Sequence, residues 1–222
     1  MKMRPSQGMS IPRSGHGVVQ RVAKRYFGDT FVYCAAGSNK QEHCGCDAVP
    51  CINPARTFAK NHDFGLQTSS GVPILPSERY FIQYRSPVRS IVSNYHLYKK
   101  NHRDECARAD WESFALREVF YWNRFVDKWV LGFPEEAASP LYCSYESLLS
   151  APEARMREIL AFMSDAPLDD EAVTRAFERR PIAPRDRLAQ FEYYDPAFFR
   201  MLEDAASERL AALDLPSFEE EH

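Results

Sequence analysis

The segment Pro12-Arg13-Ser14-Gly15-His16-Gly17 lies where a strand end passes through a glycine turn into a run with helical spacing. Gly15 and Gly17 let backbone N–H groups turn toward a ligand. The helix N-terminus adds partial positive charge, Ser14 a hydroxyl and Arg13 a full charge. This combination suits a phosphate or a sulfate. It is not an ATP-binding loop of the G-x-x-x-x-G-K-[ST] kind, because His16 and Gly17 follow Gly15 where lysine would be required. A second candidate is Lys60-Asn61-His62, an ammonium and an imidazole two residues apart. In extended chain both side chains fall on one side. An imidazole with an ordinary pKa of about 6.5 can act as general base near neutrality. A third is Arg85 at the end of a strand, with Ser93 eight residues later and two turns into a helix. Each has an ordinary alternative. The first could be a plain strand-to-helix turn with a surface arginine. His62 could be a loop histidine paired with Asp63, Arg85 a strand-end ion pair, and Tyr145 a core tyrosine.

The elements that must position these residues follow from periodicity. Val18, Val19, Val22, Ala23, Tyr26 and Phe27 keep helical spacing, and Gly28 is a C-cap. Residues 30–34 read as a short strand and 79–85 as a clear one. Ser86 and Pro87 then serve as N-cap and first helical residue, with Val88, Ile91, Val92, Tyr95 and Tyr98 facing inward. Trp111 to Trp129 marks a longer helix. Residues 140–146 form another strand. Ser150-Ala-Pro-Glu153 is a capping box opening a helix that buries Met156, Ile159, Leu160 and Met163. Two more helices are predicted over 169–179 and 196–213. Residues 35–76 are irregular and rich in Gly, Cys, Asn, Pro and Ser, with one short helix near 54–60. Strands alternating with helices predict an α/β fold, a parallel β-sheet flanked by helices. Ligands of such folds sit at the carboxyl ends of the strands.

Composition sets the frame. The chain has 222 residues, 45% of them hydrophobic, enough for a single domain with the irregular Cys-rich insert at about 35–76 and a helical part from about 151. A net charge of -3 speaks against a general nucleic-acid binder, though a locally basic cleft is compatible with it. The first strand-turn-helix unit begins within about ten residues of Met1, leaving no room for a signal peptide. No run reaches the roughly 18 apolar residues of a membrane helix. The expectation is a cytoplasmic protein, with peripheral membrane contact and oligomeric state left open. The acidic end, 218–222, is expected as a solvated tail. Cys34, Cys44, Cys46 and Cys51 cluster between the second strand and Lys60-Asn-His62, near His43, while Cys106 and Cys143 lie elsewhere. C-x-C-x4-C is not the spacing of paired zinc knuckles, so loop thiols, reduced or partly disulfide-bonded, are expected rather than zinc.

Taken in order, these segments resemble the PAPS-dependent sulfotransferases, whose donor is 3′-phosphoadenosine 5′-phosphosulfate (PAPS). The resemblance runs from about residue 10 to residue 163. The family's PKSGTT or PRSGTT loop is matched by PRSGHG, its KTH by Lys60-Asn-His62, its RxPxxxxxS by Arg85, Pro87 and Ser93, and its YEDL by Tyr145-Glu-Ser-Leu148. The resemblance implies a P-loop NTPase-like fold, PAPS as sulfonate donor and PAP as product. Arg13, Ser14, Gly15, His16 and Gly17 would bind the 5′-phosphosulfate, and Arg85 and Ser93 the 3′-phosphate. Tyr145 would border the nucleotide. His62 would be the base, with Arg13 and Lys60 at the transferring and leaving groups, and no metal is required. The basic segment 179–194 stands where the family closes over the cofactor, with Arg185 or Arg187 reaching a phosphate. His16 and Gly17 replace the family's hydroxyl residues, and Val18 replaces its adenine-stacking aromatic. Arg13 in place of lysine is typical of the tyrosylprotein and carbohydrate branches. The C-terminal glycine-lysine loop of the family's small-molecule enzymes is absent as well, so by analogy with the family a saccharide or glycolipid hydroxyl, or an amine, is the expected acceptor. The alternatives are a P-loop-like nucleotide kinase and a non-catalytic nucleotide-binding protein on this fold.

Overall fold

The computed structural model describes residues 2–36, 44, 46, 48–68, 71–102, 108–177 and 188–220. Five strands form one parallel sheet: β1 (Ser6–Ser10), β2 (Tyr33–Ala35), β3 (Phe58–Asn61), β4 (Tyr80–Tyr84) and β5 (Leu141–Ser144), in the order β2-β3-β1-β4-β5. Side chains alternate between its faces, as the two-residue period of a strand requires. Met9, Tyr80 and Ile82 join one core cluster, and Phe58, Phe81 and Cys143 join the other.

The first face is covered by α2 (Pro87–His102), α3 (Arg108–Val126) and α7 (Pro196–Asp204), the second by α1 (His16–Phe27), α5 (Pro152–Met163) and α6 (Asp170–Phe177). The remaining helices are α4 (Tyr145–Ser150) and α8 (Ser207–Leu213). The expected α/β class and parallel sheet are therefore present. No helix among the described residues is long and apolar enough to cross a membrane.

Several boundaries differ from the sequence expectation. The helix expected near 54–60 is a single turn closed on Asn53, followed by β3. Thr57 and Phe58 donate backbone N–H groups to Val32, which draws the chain into the sheet between β2 and β1. Residues 145–146 leave the strand and open α4, because the Ser144 hydroxyl accepts from the Ser147 N–H and caps the helix. Ser150 ends that helix instead of capping α5, whose N-cap position is Ala151. The hydroxyl of Ser86, expected as a cap, has no partner among the described residues. The helix expected over 196–213 breaks between α7 and α8, where Asn123 Nδ2 takes the Ala205 carbonyl.

The acidic end is docked rather than solvated as far as Glu220. Phe218 is buried against Phe199, and Arg89 donates to the carbonyls of Phe218 and Glu220.

The central strand is unusual in composition. Ser6, Gln7, Gly8, Met9 and Ser10 are all buried. Gly8 is needed for close approach: a Cβ there would stand 2.6 Å from the Phe58 ring, itself fully buried. Overpacking of this kind costs about 1–3 kcal/mol. Gly8→Ala is accordingly expected to destabilise the chain by about that amount in urea unfolding, with an unchanged denaturant slope.

Candidate active site

The residues singled out by sequence converge at the carboxyl ends of the strands. After β1, Ile11 donates its N–H to the Gln83 carbonyl of β4, which fixes where the loop leaves the sheet. Arg13 has φ 66° and Gly15 φ 89°, two left-handed residues in one turn. Ser14, fully buried, spends its hydroxyl on the Ile11 carbonyl at 2.7 Å. A side chain at Gly15 would meet the Tyr145 ring at 2.7 Å, so this ring lies directly on the turn.

Arg85 follows β4 and bridges the same parts. Its guanidinium stands 4.3 Å from the Tyr145 ring centroid and donates to the Arg13 carbonyl at 3.4 Å. Its own carbonyl accepts from Trp122 Nε1 at 2.8 Å, so a buried α3 indole sets the height of the strand end. Arg13 Nε donates to Ser93 Oγ at 3.0 Å, which joins the first and third candidate motifs side by side.

His16 takes a different course from the one expected. It is the first residue of α1, but its ring turns inward, stacked on Phe58 at 5.6 Å and 3.3 Å from the Tyr33 hydroxyl. Only its backbone belongs to the turn. Gly17 sits within the first turn of α1, where N–H groups have no intrahelical acceptor.

Lys60 is the last but one residue of β3, and His62 follows the strand. Lys60 Nζ and His62 Nε2 are in contact. His62 Nδ1 lies 2.5 Å from the Ser10 carbonyl, an atom that can only accept. Nδ1 therefore carries the proton, and the lone pair is on Nε2. The Tyr121 hydroxyl holds the His62 carbonyl.

Asp63 does not pair with the imidazole. Fully buried and left-handed at φ 52°, it binds Lys128 at 2.7 Å, Trp129 Nε1 at 2.8 Å and the Val72 N–H at 2.6 Å. It buttresses the chain immediately after His62. Phe64 lies beside the imidazole at 5.2 Å and is half exposed.

Burial, first, and then the Lys60 charge pull His62 down to about 3. Burial lowers Lys60 to about 7. His16 is held well below its ordinary range by burial, then by Lys60 and His62.

Sequence reasoning missed Gln83. It is fully buried, next to the Gly15 turn, and neither of its side-chain polar atoms has a protein partner among the described residues. A polar residue inside an otherwise apolar strand was the available signal. Arg185, Arg187, His43 and Cys106 lie outside the described residues. A cleft of about 330 Å³ between α1 and the start of β2, lined by Gln20, Lys24, Tyr33 and Arg56, contains none of the site residues.

No protein-family model matches the chain. It is similar to a WSCD family member of Aedes aegypti. The two are 24% identical over 179 residues. The match takes in 76% of this chain and 54% of that protein, so the chain spans about half the length of the curated relative it matches.

The two buried imidazoles make stability depend on pH. Both bind protons less readily folded than unfolded, so the unfolded chain takes up protons first as pH falls below about 6.5. Their contribution is complete above that value and declines as pH drops toward 3. Urea unfolding between pH 7 and pH 4 is expected to show this fall, and His16→Phe to flatten part of it.

Proposed function

We propose that the chain is a PAPS-dependent sulfotransferase of P-loop-like fold, with a saccharide or glycolipid hydroxyl as acceptor. The observation that carries this reading is the meeting of Arg13, Arg85, Ser93 and Tyr145 around the Gly15 turn, with Lys60 and His62 at the end of the neighbouring strand. Two guanidinium groups, a helix N-terminus and a hydroxyl suit a nucleotide phosphorylated at both its 3′ and 5′ positions. The buried, unpartnered amide of Gln83 beside the turn also fits a polar ligand there.

When bound, PAPS supplies an activated sulfonate for in-line displacement. Residues of the chain do the rest. The turn N–H groups, with Arg13, hold the 5′ anion, and Arg85 and Ser93 hold the 3′ phosphate. Lys60 leaves His62 to neutralise charge on the transferring group, which frees the Nε2 lone pair. His62 Nε2 then accepts the acceptor's hydroxyl proton, while Nδ1–H stays on the Ser10 carbonyl. Arg13 stabilises charge on the leaving oxygen; such a preorganised donor is worth about 2.7–4 kcal/mol. The half-exposed Phe64 face beside the base suits the apolar face of a sugar ring.

Ligand binding tests the nucleotide. PAP is expected to raise the melting temperature more than AMP, or than ATP with magnesium. Arg85→Ala should weaken PAP about 10- to 100-fold and AMP far less, since only PAP carries the 3′ phosphate. Preference for ATP with magnesium would point to a kinase instead.

Turnover tests the base. With an acceptor found by screening against labelled PAPS, His62→Ala is expected to lose about 10²-fold or more in kcat at nearly unchanged PAP affinity. Near-normal turnover would place the base elsewhere.

A further inference from the structure

The insert between β2 and β3 contains a feature that the sulfotransferase reading does not use. Cys34 Sγ, on β2, and Cys44, Cys46 and Cys51 Sγ, on the following loop, all lie within 4.8 Å of one another. The shorter separations are 2.9 Å for Cys44–Cys46, 3.1 Å for Cys34–Cys44, 3.2 Å for Cys44–Cys51 and 3.4 Å for Cys46–Cys51. None is a disulfide, whose sulfurs would be about 2.04 Å apart.

Two disulfides would draw four sulfurs into two separate pairs. Here all four sulfurs form one group, and Cys44 is close to each of the other three. A tetrahedral tetrathiolate with Zn–S of about 2.3 Å has sulfur–sulfur edges of about 3.8 Å. The observed set, from 2.9 Å to within 4.8 Å, brackets that edge.

We infer that Cys34, Cys44, Cys46 and Cys51 form a structural zinc site that ties the insert to the sheet. The sequence expectation of plain loop thiols rests on spacing within the loop. That spacing leaves out Cys34, which arrives from a strand and completes the set.

Four protein ligands leave no open position, which is the arrangement of a structural rather than a catalytic metal. Cys34 is buried and the other three are half-buried, so one ligand anchors the metal to the sheet and three gather the loop. In the same loop Val49 enters the core, whereas Ile52, three residues on, is 73% exposed. Binding would release the four thiol protons to solvent and requires no oxidant. The inference stands independently of the sulfotransferase reading.

Metal analysis of the full chain, purified under reducing conditions without chelator, tests it directly. The expected result is about one zinc per chain. Cobalt substitution should give the visible bands of a tetrahedral tetrathiolate. Cys44→Ser with Cys46→Ser should bring zinc to background, whereas Cys143→Ser, in β5 and outside the cluster, should keep it. Zinc at background in the unmodified chain, with the four thiols reacting freely or recovered as disulfides by mass, would overturn the assignment. Iron at equal stoichiometry would overturn the choice of zinc.

Discussion

Two left-handed residues, Arg13 and Gly15, set the geometry on which the candidate site depends. The cost at Gly15 is small, but an L-residue such as Arg13 resists this conformation by about 1–2 kcal/mol. The surroundings hold it there. Ser14 ties the turn back to Ile11, and Arg85 takes the Arg13 carbonyl. The Tyr145 ring occupies the space that a side chain at position 15 would need. The carboxyl ends of β1, β4 and β5 are thus all referenced to one bend. A change at any of them is felt as a displacement of the others.

The charges around that bend meet neutral partners. Arg13 donates to a serine hydroxyl, and Lys60 contacts an imidazole. Burial is what depresses Lys60 to about 7. The same burial keeps His62 neutral, and Lys60 reinforces it, so the imidazole is in its proton-accepting form across the physiological range. By contrast, the nearby carboxylate of Asp63 is consumed by Lys128 and Trp129. With that carboxylate paired away from Lys60 and His62, Arg13 and Arg85 leave the bend cationic, the polarity a doubly charged donor would require.

Much of this was legible in the sequence, for physical reasons that differ by residue. The turn and Arg85 border strong helix and strand signals, so their place at strand ends could be read, whereas Tyr145 was read inside a strand over 140–146 and instead opens α4. β3 was not legible, since Phe58–Asn61 is too short to show alternation and follows a proline turn. The inward turn of His16 depends on Gly8 making room for Phe58, a contact between residues 50 positions apart. The Asp63–Lys128 pair and the docking of Phe218 likewise join distant segments through side chains. The four clustered cysteines were legible, but not that their sulfurs lie within 4.8 Å of one another, because Cys34 reaches the loop cysteines from a strand.

The link between the turn and the base is shorter than either motif suggests. The Ser10 carbonyl that fixes the proton on His62 Nδ1 belongs to the last residue of β1, and Ile11, the next residue, receives the Ser14 hydroxyl. One stretch of chain therefore sets both the anion cradle and the tautomer of the imidazole. If the turn relaxed, the Ser10 carbonyl would rotate with it and the lone pair would no longer be assigned to Nε2. The unusually polar, fully buried β1 is understandable in this light. Its backbone is held by ladders on both sides, to β3 and to β4. That rigidity holds the Ser10 peptide, and with it the His62 tautomer, in one orientation.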